Sequence, residues 1–470
     1  MTNNRSKKLA FNTILFAISN FGGKLLSFFL VPLYTALLNP EQYGTIDLIL
    51  TTNSLLMPIV TLSITDAVLR YVMDRSNNTS MVFSTGFLVI TIGSVFSFVI
   101  IPISSGALGL SDFWLYMALT FVFNAFYSIS VQFCRGIAKN ILFAVAGVLQ
   151  IAVLLISNII TLVLFSMGIK GYLISLVLSY AIPFVVVFFA GRLYHYLRGP
   201  VSAPMFRSML KYALPLIPNT ILWWVMNASD KFFISSIIGK SENGIYAVAN
   251  KLPTIINTLS VVFYQAWQLT AIEEVDASDR NEYYSSVFAK LSSVIFLGVG
   301  ALVLFLKPIF VVWVDPQYFD AWKYTTPLLL AVSFMCFASF HGSILMALNK
   351  TGSILKSAFL GAMMNLILNA VFIPKYGLYG AAVSTFVSFF VTWIIRYIDV
   401  KKISQAKNNV RLNFNIILSL LLIFSEAGLL YIKNGFILQV VVFVALLFFN
   451  RGVLRDLAET LIRVLFRRRG

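Results

Sequence analysis

The stretch VFSTGFLVITIGSVFSFVIIPI, from Val82 to Ile103, contains no acidic, basic or histidine residue. A helix that crosses the hydrocarbon core of a membrane needs about 17–25 apolar residues, so this stretch predicts a transmembrane helix. The whole chain has the same character: of its 470 residues 59% are hydrophobic and 11% charged, and the mean hydropathy is +0.87. Soluble domains are about 25% charged, and a soluble core could not enclose this much apolar surface.

Fourteen apolar runs of this kind follow one another, separated by short polar loops. They are Leu9–Leu38, Tyr43–Val72, Val82–Ile103, Phe113–Phe133, Ile141–Phe165, Tyr172–Leu193, Met209–Ile238, Gly244–Leu269, Val287–Val314, Thr325–Leu348, Ile354–Ile373, Leu378–Ile395, Leu412–Ile432 and Phe436–Phe449. We therefore expect an all-α polytopic membrane protein with about 14 transmembrane helices.

The basic residues predict the orientation of these spans. The chain carries 35 Lys and Arg against 18 Asp and Glu, a formal net charge of +17. If the spans alternate from a cytoplasmic N-terminus, 26 of the basic residues fall on the inner side and seven on the outer side. Because Lys and Arg collect in cytoplasmic loops, both termini are expected to be cytoplasmic. The same rule explains the positive charge without nucleic acid as a partner.

Two short patterns recur about 200 positions apart. GIKG from Gly168 is followed by two serines at the same spacing as GLYG from Gly377, and LLNPEQYG from Leu37 corresponds to IIGKSENG from Ile237. An even number of spans per repeat predicts a pseudo-two-fold axis along the membrane normal. We therefore expect two six-helix lobes plus two further helices. The predicted boundaries are residues 1–204 and 205–408 for the lobes, 409–450 for helices 13 and 14, and 451–470 for a basic interfacial tail.

Residues suited to catalysis or metal binding are scarce. Cys134 and Cys336 lie in apolar runs, and His195 and His341 are the two histidines, so neither a disulfide framework nor a metal site is expected. The chain has no Walker A sequence, and the predicted loops are too short for a catalytic domain. We expect no catalytic residue, no metal and no cofactor, which favours a transporter over an enzyme.

Some ionisable residues lie inside predicted spans, where each costs about 2.5–3.5 kcal/mol on insertion scales and usually lines a cavity or pairs with another charge. Lys24 lies near the middle of span one, Lys251 in span eight, Asp47 in span two and Glu426 in span thirteen. Two interpretations remain open. The lysines snorkel or neutralise Asp47 and serve helix packing, or they form a cationic cavity for an anionic headgroup.

Other polar side chains in the spans allow structural as well as functional interpretations. Asp66 and Arg70 are one helical turn apart, which predicts an ion pair. Asp230 and Lys231 are expected at a solvated rim, near the outer end of span seven. The same span carries a cluster of amides and indoles at Asn219, Trp223, Trp224 and Asn227. Such a cluster suits the stacking of sugars, and it suits core packing equally well.

The segment from Leu210 to Glu274 resembles the polysaccharide biosynthesis transporters, which flip lipid-linked oligosaccharides for O-antigen, capsule or exopolysaccharide. The pieces that carry the resemblance are SDKFFI, GIYAVANKLP and QAW…AIEE in this segment, PLYT from Pro32, LNPEQYG from Leu38 and IPKYGLYGAAVST from Ile373. The resemblance implies the fold of the multidrug/oligosaccharidyl-lipid/polysaccharide exporter superfamily, with two six-helix lobes around a central cavity and alternating access.

The resemblance also implies a substrate and a place. The substrate would be an undecaprenyl-pyrophosphate-linked oligosaccharide, and the place the bacterial cytoplasmic membrane, with membrane lipids, glycosyltransferases and a polymerase as partners. In this family spans one, two, seven and eight form a cationic cavity. Carried over to this sequence, that picks out Lys24 and Lys251, with Asp47 and Asn219 as neighbours.

Several alternatives stay open. The substrate could be a murein precursor or a teichoic-acid-type lipid, handled by the same kind of exporter. A multidrug or cation antiporter of the superfamily would need an acidic cavity, which a lysine in the middle of span one opposes. The chain could also be a scaffold for glycosyltransferases that transports nothing. Counter-ion antiport through Asp47 or Glu426 is a further hypothesis.

Overall fold

A computed structural model of the chain describes residues 28–74, 76–404, 415–418, 420–422, 435–456 and 459. Within these ranges every regular element is a helix, which confirms the all-α fold class. Eight helices in the described part are long and apolar enough to cross a membrane, which confirms a multi-pass membrane protein. The total of 14 spans and the cytoplasmic termini stay predictions. Lys24 and Glu426 lie outside the described residues.

The helices follow the predicted spans closely in order and position. They are α1 (Val31–Leu37), α2 (Pro40–Val60), α3 (Ile64–Met73), α4 (Thr79–Ala107), α5 (Trp114–Gly136), α6 (Asn140–Asn158), α7 (Gly168–Ala190), α8 (Leu193–Tyr196), α9 (Ala203–Ala213), α10 (Leu216–Ile237), α11 (Lys240–Ala249), α12 (Lys251–Glu273), α13 (Arg280–Trp313), α14 (Trp322–Ala347), α15 (Thr351–Ser404) and α16 (Gly435–Phe449). A π-helical segment, Ile159–Leu164, extends α6, and the 3-10 helices Ser111–Phe113 and Pro316–Ala321 precede α5 and α14.

The sequence around Asn39 explains why α2 starts where it does. The Asn39 side chain accepts a hydrogen bond from the Gln42 N–H at 2.9 Å, and the Gln42 side chain accepts one from the Asn39 N–H at 3.2 Å. This reciprocal capping box satisfies backbone donors that the first turn of a helix leaves unpaired. Pro40 occupies the first helical position, where its missing N–H costs nothing.

Within the described residues several predicted spans are interrupted, span one among them at Leu30. Span two breaks between α2 and α3, where Leu62 and Ser63 have left-handed φ values of 53° and 48°. Span seven breaks between α9 and α10 at Pro215, which has no N–H to donate. Span eight breaks between α11 and α12 at Asn250. Spans eleven and twelve, in contrast, run together as α15, which bends at Gly377.

Packing divides the chain into two compact units. The first holds the described residues of Met1–Trp224 and Ser235–Ala247, and the second those of Val225–Ile234 and Val248–Gly470. The predicted lobe boundaries at residues 204, 408 and 450 stay predictions. Each unit has an aromatic core of its own. Phe83 and Phe133 approach to 4.3 Å between ring centroids in the first unit, and Trp267 stacks on Phe340 at 4.3 Å in the second.

The two GxxG motifs have the same local structure. Gly168 and Gly377 both have positive φ, 56° and 59°, a conformation that glycine adopts without steric cost. The serine four residues after the second glycine donates to that glycine's carbonyl in each copy, from Ser175 at 2.9 Å and from Ser384 at 2.7 Å. This shared geometry supports the internal repeat that the sequence predicts.

Candidate functional site

Asp47, on α2, belongs to a cluster of tyrosines in the first unit. It is half-buried, one of its carboxylate oxygens is fully buried, and it lies within electrostatic range of the Tyr43 and Tyr172 hydroxyls. Tyr34 packs edge-on against Tyr172 at 5.2 Å, and Asn158 Nδ2 donates to Tyr34 Oη at 2.9 Å. An acidic group and at least two tyrosine hydroxyls therefore lie close together inside a predicted span.

The amide and indole side chains of span seven lie on α10. Asn219, Trp223 and Asn227 are spaced four residues apart, so they share one face of the helix. Asn219 and Trp223 belong to the first unit and are half-buried, whereas Asn227 belongs to the second and is exposed. Asn219 Oδ1 is buried without a hydrogen-bond partner among the described residues. The neighbouring Trp224 donates from Nε1 to Ser54 Oγ at 3.0 Å.

Lys251 occupies the first position of α12, directly after the interruption at Asn250, and is half-buried in the second unit. The positive end of a helix dipole lies at the N-terminus. The lysine charge and the helix start therefore add up to a positive potential inside a predicted span. Such half-helix starts face anionic substrate groups in other membrane transporters.

Asp230 is buried, although the sequence predicts that it lies at a solvated rim. It is 2% exposed and accepts a hydrogen bond from Thr385 Oγ1, on α15, at 3.2 Å. The Lys231 N–H donates to the other carboxylate oxygen at 2.9 Å. The prediction was wrong because it judged depth by the distance from the predicted end of the span. Packing against α15 decides the burial instead.

Neutral polar side chains lie beside Asp230 in the second unit. Ser229 donates to Asn365 Oδ1 at 2.8 Å, and Asn369 Nδ2 donates to the same oxygen at 3.0 Å. Asn365 Nδ2 and Asn369 Oδ1 are buried without a partner in the described part of the chain. The contact described for the Asp230 side chain is with the Thr385 hydroxyl, and an ionisable group buried inside a membrane span is a candidate for ion or proton transport.

The predicted ion pair between Asp66 and Arg70 is also wrong. In the described part of the chain these two side chains form no salt bridge, and both are exposed. The pKa of Asp74, in the loop after α3, is lowered mainly by the Ser76 hydroxyl at 2.7 Å, then by the Ser76 N–H, with a smaller effect from Arg70. Arg70 thus faces the loop, and Asp66 lines a separate cavity.

Sequence reasoning missed Tyr34, Tyr43, Tyr172 and Asn158 around Asp47, and Asn365, Asn369 and Thr385 around Asp230. The available signal was polar side chains inside apolar runs. These side chains carry no formal charge, so the search for charged residues inside the spans does not find them. Of the predicted site residues, the described contacts connect Asp47 with the tyrosines, and Asn219, Trp223 and Asn227 share a helix face.

Comparison with known proteins identifies the family. The sequence family described as "Polysaccharide biosynthesis protein" matches residues 9–268, more than half of the chain. The chain belongs to this family. It is 23% identical to the Lsg locus putative protein 1 of Haemophilus influenzae over 66% of this chain and 75% of that protein. A probable low-salt glycan biosynthesis flippase of Haloferax volcanii is 26% identical over 40% of this chain.

A third relative is an uncharacterized membrane protein of Methanocaldococcus jannaschii, 27% identical over 41% of this chain. The matched segments span 39% of the Methanocaldococcus protein and 41% of the Haloferax protein. The chain therefore covers well under two thirds of these two relatives.

Solved structures show the same fold. The lipid II flippase MurJ in an inward closed conformation superimposes with a TM-score of 0.71, over 96% of this chain and 100% of that one, at 15% identity. An inward-facing multidrug resistance MATE family transporter of the MOP superfamily gives a TM-score of 0.70 over 83% of this chain and 100% of that one, at 12% identity. The predicted family and the predicted exporter fold are confirmed.

Proposed function

We propose that this chain is a flippase for undecaprenyl-pyrophosphate-linked oligosaccharide repeat units. It moves them from the inner to the outer leaflet of the bacterial cytoplasmic membrane by alternating access, for surface polysaccharides such as O-antigen, capsule or exopolysaccharide. Membership of the polysaccharide biosynthesis family supports this proposal, together with the exporter fold. The observation that carries it is Lys251 at the interrupted helix inside predicted span eight.

The chemistry of Lys251 fits the pyrophosphate group. A phosphate oxygen accepts hydrogen bonds from an ammonium group, and such charge-assisted bonds are about twice as strong as neutral ones. The start of α12 adds its dipole to the same position. Lys24, predicted near the middle of span one, would supply a second positive charge. Asp47, Asn219, Trp223 and Asn227 are proposed to line the same route.

Membrane potential can drive the outward movement. An anion that leaves a cell with a negative interior gains about 2.3 kcal/mol per charge per 100 mV. Ion coupling would add to this, through Asp47 or Glu426, and the burial of Asp230 beside the Thr385 hydroxyl makes it a third candidate. A murein-precursor or teichoic-acid-type substrate remains the alternative. Glycosyltransferases and a polymerase of the same pathway are the proposed protein partners.

Substitution of Lys251 by alanine tests the proposal. A lost charge-assisted hydrogen bond of about 1.5–3 kcal/mol predicts a 10- to 150-fold slower flipping rate. The rate is measured with purified protein in liposomes that carry undecaprenyl pyrophosphate bearing an oligosaccharide, and inner-leaflet intermediates are expected to accumulate in the host. The matched control is Lys402→Ala, at the exposed end of α15.

Three results would contradict parts of the proposal. Equal flipping rates for Lys251→Ala and Lys402→Ala would remove Lys251 from the route. Absence of flipping by the purified wild-type protein would favour the scaffold function. Export of cationic dyes in place of the glycolipid would favour the multidrug antiporter.

A further inference from the structure

The break in span two borders a cavity in the first unit. Leu62 and Ser63, between α2 and α3, adopt left-handed backbone conformations, which cost about 1–3 kcal/mol each in residues other than glycine. The Ser63 N–H still donates to the Pro58 carbonyl at 3.0 Å, and the Thr61 hydroxyl donates to the Met57 carbonyl at 2.6 Å. The strained turn is therefore held in one defined geometry.

This cavity has a volume of about 430 Å³, within the range of about 300–1,000 Å³ that small-molecule sites occupy. One wall is a face of α5 that presents Tyr127, Ser128, Gln132 and Arg135, because residues three to four apart share a helix face. The opposite wall includes Ser63 and Asp66 at the break. The topology predicted from the basic residues places this end of α5 on the cytoplasmic side.

The cavity is lined by both apolar and polar side chains, and its formal charges cancel. Asp66 and Arg135 balance each other, and the other polar groups are hydroxyls and an amide. Arg135 lies over the Phe143 ring at 5.9 Å, and this packing orients its guanidinium group. A pyrophosphate would meet the repulsion of Asp66, and an inorganic cation that of Arg135. A neutral ligand rich in hydroxyl groups meets neither.

Gln132 supplies the most specific feature. Its side-chain Oε1 is buried and has no hydrogen-bond partner among the described residues. A buried acceptor without a partner costs about 1–3 kcal/mol, so the position is unfavourable for stability alone. The rest of the Gln132 amide lines the cavity, where its Nε2 can donate to a sugar hydroxyl oxygen. Tyr127 beside it offers an apolar ring face and a hydroxyl together.

We propose that this cavity binds sugar residues of the lipid-linked substrate on the inner side of the membrane, before transport. Gln132 recognises a sugar hydroxyl, Asp66 and Arg135 bind further hydroxyls, and Tyr127 packs against the apolar face of a ring. This inference rests on the proposed flippase function. It goes further by separating the sugar site, in the first unit, from the pyrophosphate contact assigned to Lys251.

The variant Gln132→Met tests this assignment cleanly. Methionine has nearly the same length as glutamine and removes the unpaired acceptor, so the variant is expected to melt at the wild-type temperature or above it. The probes are undecaprenyl pyrophosphate with and without an attached disaccharide, and their Kd values are measured on the full chain in detergent micelles. The matched control is Gln317→Met, at an exposed position between α13 and α14.

Gln132→Met is expected to bind the disaccharide lipid about tenfold more weakly and the sugar-free lipid as the wild type does, which corresponds to about 1.4 kcal/mol. Equal affinity of Gln132→Met and Gln317→Met for the disaccharide lipid would overturn the proposal. Equal weakening for both lipids would overturn it too, because the cavity would then contact the pyrophosphate or the fold. Failure of the wild type to bind either lipid would instead overturn the flippase function itself.

Discussion

Gly44 and Gly244 lie backbone to backbone where α2 crosses the start of α11. A Cβ atom on Gly44 would collide with the Lys240 carbonyl oxygen and lie 2.7 Å from the Gly244 nitrogen. Two side chains hold the start of α11, one to α2 at the crossing and one to the loop between α4 and α5. Asn243 Nδ2 donates to the Gly44 carbonyl at 2.9 Å, and Lys240 Nζ donates to the Gly109 carbonyl at 2.7 Å. Gly44→Ala is therefore expected to separate these two helix starts.

The size of the effect follows from what the added methyl group meets. The obstructing atoms belong to the backbone, so the two helices must move apart, and overpacking of this kind costs about 1–3 kcal/mol. A cost of this size raises the population of the locally open state about 5- to 150-fold. Both helix starts are predicted on the outer side of the membrane. The substitution should therefore open this crossing locally, on the predicted outer side.

Hydrogen exchange of the protein in micelles measures this opening. Amides in the first two turns of α2 and α11 are expected to exchange 5- to 150-fold faster in Gly44→Ala, following the cost of about 1–3 kcal/mol. Gly298→Ala on α13 is the matched control, since a Cβ there meets no atom within 4 Å. Equal exchange at α2 and α11 in the two variants would refute the reasoning. Uniformly faster exchange throughout the chain would show global destabilisation instead of local opening.

Two further variants test the second unit. Arg396 is 2% exposed and donates to Ser357 Oγ at 2.8 Å and to the Ala338 carbonyl at 2.9 Å. Arg396→Lys should therefore destabilise the protein by about 1.5–3 kcal/mol. The measurement is the melting temperature, which is expected to fall, and an unchanged melting temperature would contradict the prediction. If Asp230 binds a cation, sodium chloride should raise the wild-type melting temperature relative to choline chloride. Asp230→Asn should abolish that difference, and an undiminished salt effect in the variant would exclude Asp230 as the site.

The fold class could be predicted from the sequence because lipid imposes a simple rule. Each span must form all of its backbone hydrogen bonds internally and expose apolar side chains to lipid. A long apolar run such as Val82–Ile103 is the direct result of that requirement. The interruptions could not be located in the same way. The α3 segment, ITDAVLRYVM, continues the mainly apolar run of α2. Leu62 and Ser63 have left-handed conformations in the structure, but Leu and Ser are not residue types that predict such a turn.

The candidate site was only partly predictable, because its partners are distant in sequence. The sequence predicts that Asp230, next to Lys231, is exposed near the end of a span. Its burial in the structure comes with a contact to Thr385, 155 positions away. Likewise, Asp66 and Arg70 have the spacing of an ion pair on a helix. Their side chains face different cavities once α3 packs against α5 and α9.

The interruptions themselves bear on function. Irregular backbone at membrane depth is tolerated only where protein or a water-filled cavity covers it, so each break in a span is evidence for such an environment. Among the described breaks, those in spans two, seven and eight lie beside Asp66, Asn219 and Lys251 respectively. These are three of the four spans that the family resemblance predicts to form the cavity, and that assignment stays a prediction. The Lys251 and Gln132 variants therefore test the proposed pyrophosphate contact in the second unit and the proposed sugar site in the first unit separately.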